Sequence, residues 1–222
     1  MGKLIEIQPK ETERKFRILD STIEKSTELK QSRFNPVQRW GMHGRFKNAI
    51  NMVPKNAQSL LDLGCGAGYF LAAVEEQFPS IKLTGVDLSE ENLSSANATL
   101  KRTTLIKGDA TRLKLPDSSF DVVSAQELIE HVNDDKALLA EIWRVLKSKG
   151  TLIISTPDTE KLLWCTTFNV WNKIFRTGDS PHLREYKEKD FKKLLEDNGF
   201  KIKDERRALF GCVMILECEK AP

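Results

Sequence analysis

The sequence lacks a long apolar run, a paired cysteine motif and a low-complexity stretch, and each absence excludes a class of protein. Its longest apolar stretch, residues 162–175, contains Thr, Asn and Lys and is too short to cross a bilayer, and the first residues hold no apolar signal core. The four cysteines, at positions 65, 165, 212 and 218, show neither a CxxC pair nor the spacing of a zinc site or a disulfide framework. We therefore expect a cytoplasmic protein with reduced thiols.

The composition is that of an ordinary globular protein. Of 222 residues, 40% are hydrophobic and 30% are charged, with 12 Gly and 8 Pro, which argues against a disordered chain or a coiled coil. This length suits one large domain, or a domain with an appended cap.

Positive charge is concentrated near the beginning of the chain. The formal net charge is +3, but residues 1–60 contain 12 Lys and Arg against 6 Asp and Glu, and residues 30–61 contain no acidic residue. Aromatic residues alternate with the basic ones in this stretch. It is either a solvated helix face or a surface for an anionic partner, such as RNA phosphates or anionic lipid; a DNA partner is not expected.

The hydrophobic pattern divides the chain at about residue 54. Residues 1–54 are helical or irregular in pattern and are interpreted as an N-terminal helical cap. From 55 to 222, short apolar runs alternate with amphipathic segments, which is typical of a parallel sheet wrapped by helices. Strands are predicted at 59–63, 81–86, 104–107, 120–125, 151–155, 200–209 and 212–218. The link at 210–211 is too short for a parallel crossover, so the last strand should be antiparallel to its neighbour.

Glycines and acidic residues follow the first three predicted strands. Gly64, Gly66 and Gly68 come after the first strand and open a helix, a setting in which a ligand can approach the backbone. Their G-x-G-x-G spacing differs from the G-x-G-x-x-G of dinucleotide folds. Asp87 ends the second strand and Asp109 follows the third. Together these residues indicate one adenosyl site at the carboxyl ends of the strands.

The segments LLDLGCGAGYF, GVDLSEENL and GDATRLKLPDSSFDVV resemble the successive motifs of class I S-adenosylmethionine-dependent methyltransferases. The similarity spans about residues 58–218. It implies an α/β fold with a Rossmann-like doubly wound sheet, mostly parallel with an antiparallel C-terminal strand. The family's terminal antiparallel strand agrees with the hairpin inferred above.

The resemblance also implies which residues contact the cofactor. At the methionine end these are Arg45 for the carboxylate, with Arg39 as second choice, Asp62 for the loop or the ammonium, Gly64, Gly66 and Gly68. At the nucleoside end they are Asp87 for the ribose hydroxyls, Leu88, Asp109 and Ala110 for the adenine, and Gln126 beside the sulfonium.

The segment ELIEH after the fourth predicted strand carries candidate metal ligands. If it continues as a helix, Glu127, Glu130 and His131 share one face, and His182 after the fifth strand supplies a fourth ligand. Two carboxylates and two imidazoles suit Mg²⁺, Mn²⁺ or another divalent ion. ELIEH with a later His resembles both polyprenyl-quinone-precursor O-methyltransferases and small-RNA 3′-terminal 2′-O-methyltransferases. The alternative is a structural Glu-His-Val segment, with His131 as the general base.

A lid insertion is predicted at about 158–182. It contains an aromatic stripe at helical spacing, formed by Trp164, Phe168, Trp171 and Phe175. The stripe is either core, or the lid of an apolar acceptor pocket, or a peripheral contact with a membrane surface.

The leading functional hypothesis is O-methylation of a small-molecule or lipid-linked acceptor with S-adenosylmethionine. A second hypothesis places the same chemistry on RNA, as a 2′-O-methyltransferase; it is less favoured because the sequence contains no recognised RNA module. A third is a non-catalytic adenosyl-binding or nicotinamide-binding protein.

Overall fold

The computed structural model of the chain describes residues 36–161 and 182–221, and the side chains of its first helix from residue 42 onward. The helices in these ranges are α1 (Pro36–Ile50), α2 (Tyr69–Gln77), α3 (Glu90–Thr99), α4 (Asp135–Val145) and α5 (Glu188–Asp197). The strands are β1 (Ser59–Leu63), β2 (Lys82–Asp87), β3 (Thr103–Lys107), β4 (Phe120–Gln126), β5 (Leu146–Pro157), β6 (Phe200–Ala208) and β7 (Val213–Lys220). Short 3₁₀ turns lie at Ile129–His131, Thr159–Lys161 and Leu209–Gly211.

The seven strands form one sheet in the order β3-β2-β1-β4-β5-β7-β6. The pairs β1–β2, β1–β4, β2–β3 and β4–β5 are parallel, whereas β7 is antiparallel to both β5 and β6. The strand order reverses between β1 and β4, and open α/β sheets bind ligands outside the carboxyl ends of the strands at such a point. The predicted Rossmann-like fold with an antiparallel C-terminal strand is confirmed.

The seven predicted strands are all present, and the apolar residues of the central strands β1, β4 and β5 are buried. β1 illustrates this, since Leu60, Leu61 and Leu63 are fully buried. β5 differs most from its predicted bounds: it begins at Leu146, directly after α4 ends. This early start lets Phe120 of β4 pair with Leu146 before the register shifts.

Two hydrophobic clusters cover the sheet. One lies under α4 and α5 and includes Leu138, Ile142 and Phe191. The other lies under α1 and α2 and includes Phe46 and Phe70, whose ring centroids are 5.9 Å apart. Helices therefore pack on both faces and leave the carboxyl edge of the sheet to the connecting loops.

Helix α1 is the described part of the predicted N-terminal cap. It begins at Pro36, and it buries Phe46, Ala49 and Ile50 against the sheet. Asn48 donates a hydrogen bond to the carbonyl of Arg207 at 3.2 Å, which joins the helix to β6. The rest of the cap, residues 1–35, and the aromatic stripe of the predicted lid lie outside the described residues. Among the described helices, none combines the length and the apolar character needed to span a membrane.

Candidate active site

The glycine loop after β1 turns through three positive φ angles, +66° at Gly64, +53° at Gly66 and +80° at Gly68. A Cβ added to Gly64 would lie 2.9 Å from the Leu128 side chain, and one added to Gly68 would lie 2.8 Å from Leu100. A Cβ on Gly66 would meet no atom of the described residues within 4 Å. Gly66 is thus the glycine whose backbone faces open space.

Asp87 fastens this loop to the end of β2. Its Oδ2 accepts from the Gly66 amide at 2.8 Å, and its Oδ1 accepts from the Ser89 amide at 2.8 Å. Ser89 itself caps α3, because its Oγ accepts from the Asn92 amide at 3.2 Å. The side-chain cap of α3 is therefore supplied by Ser89. Leu88 beside it keeps 67% of its surface exposed and offers an apolar face at this edge.

The turn after β3 holds Asp109 and Ala110 at the same edge. Asp109 Oδ1 accepts from the amide and the hydroxyl of Thr111, at 2.8 and 2.7 Å. These two hydrogen bonds lower the pKa of Asp109, so the carboxylate is ionised at neutral pH. Ala110 is buried.

A buried polar group lies where β1 and β4 end. Burial raises the pKa of Asp62 to about 7, although a hydrogen bond with Ser124 and the charge of Arg45 both lower it. Gln126 donates through Nε2 to Ser124 Oγ at 3.2 Å. Gln126 Oε1 and Arg45 Nε are buried without a hydrogen-bond partner among the described residues. Buried polar atoms without a protein partner are typical of a binding site in which a ligand supplies the missing hydrogen bonds.

The ELIEH segment does not form the predicted helix. Glu127 has a φ of +53°, and its amide donates to the Ser155 carbonyl at 3.1 Å and to the Ser155 hydroxyl at 3.2 Å. Because these bonds hold Glu127 against β5, the chain leaves the sheet through a tight bend and continues as the 3₁₀ turn Ile129–His131. The helix begins only at α4, capped by Asp134. The prediction that one helical face presents all three ligands is therefore wrong.

Glu127 is turned toward α1 instead. Its Oε1 accepts from the Ser155 hydroxyl at 3.2 Å, and its Oε2 lies 3.3 Å from Arg45 Nη1. It does not belong to the group of candidate metal ligands that the described residues form. In this structure Glu127 therefore lies apart from the other three predicted ligands, and its carboxylate pairs with Arg45, the arginine predicted to bind the cofactor.

The other three predicted ligands do come together. Glu130, His131 and His182 each offer one atom within 4.8 Å of the others, and the two imidazole centroids are 4.9 Å apart. Glu130 is only 1% exposed; its Oε2 accepts from the Thr156 hydroxyl at 3.1 Å, whereas its Oε1 has no hydrogen-bond partner in the described ranges. Burial, followed by the charge of Glu127, raises the pKa of Glu130 well above its usual range. We call these three residues the acid–histidine cluster.

Comparison with known proteins identifies the domain. A family model described as a methyltransferase domain matches residues 61–154, from β1 to β5. A probable S-adenosylmethionine-dependent methyltransferase of Mycolicibacterium smegmatis is 31% identical over 153 residues, which are 66% of this chain and 53% of that protein. A demethylmenaquinone methyltransferase of Thermotoga maritima is 32% identical over 122 residues, 54% of this chain and 53% of that protein. The chain carries a class I S-adenosylmethionine-dependent methyltransferase domain.

The chain matches only part of each curated relative, and its similarity to solved structures concerns the fold. The chain spans about half the length of these curated relatives, 53% in both cases. The crystal structure of an S-adenosylmethionine-dependent methyltransferase from Aquifex aeolicus superposes with a TM-score of 0.66 at 18% identity, over 89% of this chain and 98% of that one. This likeness shows that the two proteins share the methyltransferase fold.

The methyltransferase cofactor fits the residues at this edge. Gly66 leaves open space, Arg45 Nε offers a buried donor, and Gln126 Oε1 offers a buried acceptor. Open space, a buried donor and a buried acceptor are compatible with the bulk, the carboxylate and the sulfonium end of a methionine moiety.

Sequence reasoning missed several polar partners of the site. Ser124, Ser155 and Thr156 hold the predicted residues in place, and Arg184 and Asp135 join the segments that carry the two histidines. The serines and the threonine lie on β4 and β5, and their position near the carboxyl ends of those strands was the available signal. Arg184 and Asp135 are 49 residues apart, and nothing in their sequence spacing pairs them.

Proposed function

We propose that this methyltransferase transfers the methyl group of S-adenosylmethionine to a hydroxyl oxygen of a small-molecule or lipid-linked acceptor. The observation that carries the proposal is the acid–histidine cluster, which follows β4 and β5 at the same sheet edge as Gly66 and Asp87. Proton-accepting groups beside a methyl donor are what an O–H acceptor requires.

The cofactor would be held by residues from several strand ends. S-adenosylmethionine, when bound, supplies an electrophilic methyl group on a sulfonium. Asp87 would accept hydrogen bonds from the ribose hydroxyls while it continues to hold the Gly66 amide. Leu88 would pack on the adenine, with Asp109 and Ala110 beside it. Arg45 would meet the methionine carboxylate, and Asp62 and Gln126 would meet the ammonium and the rim of the sulfonium.

Arg45 links the two halves of the proposed site. Its charge lowers the pKa of both Asp62 and Glu130, so the guanidinium lies near both carboxyls. The Glu127 carboxylate holds it in this place at 3.3 Å. A cofactor bound through Arg45 would therefore lie next to the acid–histidine cluster, and the acceptor would enter from the cluster side.

A divalent ion on Glu130, His131 and His182 is part of the proposal. Oε1 of Glu130, which has no hydrogen-bond partner among the described residues, fits this role, because a buried carboxylate oxygen needs either a proton or a cation. One carboxylate and two imidazoles leave coordination positions open for acceptor oxygens and suit Mn²⁺ or a similar ion. Such an ion would lower the pKa of a bound hydroxyl.

The alternative for the same residues is direct proton transfer. His131 is half-buried beside His182 and would accept the proton of the acceptor hydroxyl during methyl transfer. Glu130, held by Thr156, would orient the turn that carries His131. A metal and a general base would both use the His131 imidazole. Chelation of the ion should abolish the metal-assisted reaction, whereas it should not inhibit general-base catalysis.

Methyl transfer from radiolabelled S-adenosylmethionine tests the proposal. The acceptors are an ortho-dihydroxybenzoate, a polyprenylated dihydroxybenzoate and a single-stranded RNA with a free 3′-terminal 2′-hydroxyl, each assayed in EDTA and with added Mn²⁺. We expect transfer to a phenolic acceptor, reduced in Asp87→Ala and retained in the control Asp197→Ala, which changes an exposed aspartate at the end of α5. Transfer to the RNA alone would support the 2′-O-methyltransferase hypothesis, and transfer to none would contradict O-methylation of these acceptor classes.

The lipid-linked form of the acceptor has its own measurement. If the acceptor resides in a bilayer, the protein should sediment with vesicles that contain anionic lipid, and sedimentation should fall as salt concentration rises. Equal recovery with and without vesicles would favour a freely diffusing acceptor.

A further inference from the structure

The segment that carries His182 is fastened to the segment that carries His131 by backbone hydrogen bonds. The amides of Leu183 and Arg184 both donate to the carbonyl of Glu130, at 2.8 and 3.2 Å. Glu130 thus contributes its side chain to the acid–histidine cluster and its carbonyl to the neighbouring segment.

The Arg184 side chain adds a second connection. Its Nη2 donates to the Asn133 carbonyl at 2.7 Å, and its Nη1 lies 3.3 Å from Asp135 Oδ2. Asp135 is 7% exposed and lies in the first turn of α4, so it gives the arginine a fixed partner on a rigid element. The Tyr186 hydroxyl donates to the same Asp135 oxygen at 3.0 Å.

Burial alone does not fix this segment. Residues 182–185 are all exposed, and the first buried residue after them is Tyr186. An exposed histidine samples several positions unless the backbone on either side is held. The contacts with Glu130, Asn133 and Asp135 supply that restraint on the C-terminal side of His182.

We propose that Arg184 is a positioning residue, which together with Asp135 holds His182 beside His131 and so completes the acid–histidine cluster. Its importance for metal binding rests on the proposed function. Residues that orient ligands from outside the coordination sphere change metal affinity by about 10–100-fold when replaced. A residue that served stability alone would lower the melting temperature without a selective effect on metal affinity.

Calorimetric titration with Mn²⁺, without acceptor, tests this role independently of catalysis. Arg184→Gln should bind Mn²⁺ about 10–100-fold more weakly than the unchanged protein. Arg184→Lys keeps the charge but cannot contact Asn133 and Asp135 at the same time, so its Mn²⁺ affinity should lie between those of the unchanged protein and Arg184→Gln. The control is Arg206→Gln, which removes an arginine paired with Asp204 at 3.0 Å on β6. S-adenosylhomocysteine affinity should stay near that of the unchanged protein in all three variants.

Hydrogen exchange separates failure of this inference from failure of the proposed function. The Leu183 and Arg184 amides should exchange faster in Arg184→Gln than in the unchanged protein and in Arg206→Gln, with or without metal. If the unchanged protein binds no Mn²⁺, the metal part of the proposed function fails and the exchange rates alone decide the role of Arg184. The inference is overturned if the two amides exchange at the same rate in Arg184→Gln as in the unchanged protein. It is also overturned if the unchanged protein binds Mn²⁺ and Arg184→Gln binds it with the same affinity. Should Arg184→Gln fail to fold, Arg184→Lys decides by the same two measurements.

Discussion

The amide of Gly66 donates a 2.8 Å hydrogen bond to the Asp87 carboxylate, and this bond joins the loop after β1 to the end of β2. The other oxygen of the same carboxylate accepts from the Ser89 amide. Asp87 therefore shapes the glycine loop as well as facing the proposed cofactor crevice, and its replacement should alter both.

Replacing Asp87 by Ala should weaken S-adenosylhomocysteine binding by about 1–3 kcal/mol, through the lost ribose hydrogen bonds. Gly66→Val should weaken binding further, because its side chain would project into the open space of the crevice and its φ of +53° is strained for a branched residue. Isothermal titration calorimetry measures both effects.

Gly211→Val is the matched control for the glycine change. Gly211 has a φ of +87°, and a Cβ there meets no atom of the described residues within 4 Å, so the variant carries similar backbone strain on the β6–β7 turn. It should lose stability but keep its affinity for S-adenosylhomocysteine. Equal loss of affinity in the two variants would attribute the Gly66 effect to strain and not to the crevice.

The position of Glu127 beside Arg45 predicts that two variants separate Mn²⁺ binding from cofactor binding. His182→Ala should weaken Mn²⁺ binding at least tenfold and leave S-adenosylhomocysteine affinity nearly unchanged, because the imidazole belongs to the acid–histidine cluster. Glu127→Ala should weaken S-adenosylhomocysteine binding and leave Mn²⁺ affinity nearly unchanged, because it removes the partner that holds Arg45 at 3.3 Å. Titrations of both variants with both ligands provide the measurement. Loss of Mn²⁺ affinity in Glu127→Ala would return Glu127 to the metal ligands.

The fold was predictable from the sequence because its evidence is local. Apolar runs such as residues 59–63 are buried strands. The link predicted at 210–211 spans residues 209–212 in the structure, and it is still short enough to permit only an antiparallel pair. The convergence of His131 and His182 was also predictable, since loops after parallel strands meet at one edge of a sheet.

The bend at Glu127 was not predictable in this way. It depends on hydrogen bonds with Ser155, which lies 28 residues further along the chain. Helical spacing in ELIEH could not reveal a bond to a neighbouring strand, and the left-handed φ of a glutamate carries no sequence signal. The Arg184–Asp135 contact was missed for the same reason.

A buried ion pair helps to join the end of β5 to β6 near the β6–β7 turn. Asp158 is 1% exposed and pairs with Arg207 Nη1 at 2.6 Å, and it forms a bridge to Tyr186 across the ends of the predicted lid insertion. Arg207→Ala should destabilise the protein by about 3–5 kcal/mol, because it leaves this carboxylate buried without its cation. The melting temperature should fall by roughly 10 °C, at about 2–4 °C per kcal/mol.

Arg206→Ala is the control, because Arg206 pairs only with the neighbouring Asp204 among its described ion pairs, and its side chain is 33% exposed. Its melting temperature should change by less than about 3 °C, since exposed ion pairs contribute little. Calorimetry measures both melting temperatures. If they fall by similar amounts in the two variants, the buried Arg207–Asp158 pair contributes no more to stability than an exposed ion pair.

The buried carboxyl of Glu130 predicts a stability that falls as pH rises in metal-free protein. Burial raises its pKa in the folded state, whereas the unfolded chain releases the proton near the ordinary glutamate pKa of about 4.3. Above that pH the folded state binds more protons than the unfolded state, so the free energy of unfolding decreases with pH until the folded carboxyl also ionises. The slope attributable to one such group is at most about 1.4 kcal/mol per pH unit.

Glu130→Gln removes the ionisable group while preserving the shape of the side chain. Between pH 5 and pH 8, in EDTA, the melting temperature of this variant should therefore decline less than that of the unchanged protein. Both pH values lie above the ordinary glutamate pKa of about 4.3. Asp62, whose pKa is raised to about 7 by burial, remains in the variant and accounts for a residual slope. Taking the difference between the variant and the unchanged protein removes the contribution of Asp62. The control Glu160→Gln changes an exposed glutamate and should leave the pH dependence as it is. Parallel curves for Glu130→Gln and the unchanged protein would show that Glu130 is ionised at neutral pH without a metal, whereas addition of Mn²⁺ should restore stability at pH 8 only where Glu130 is present.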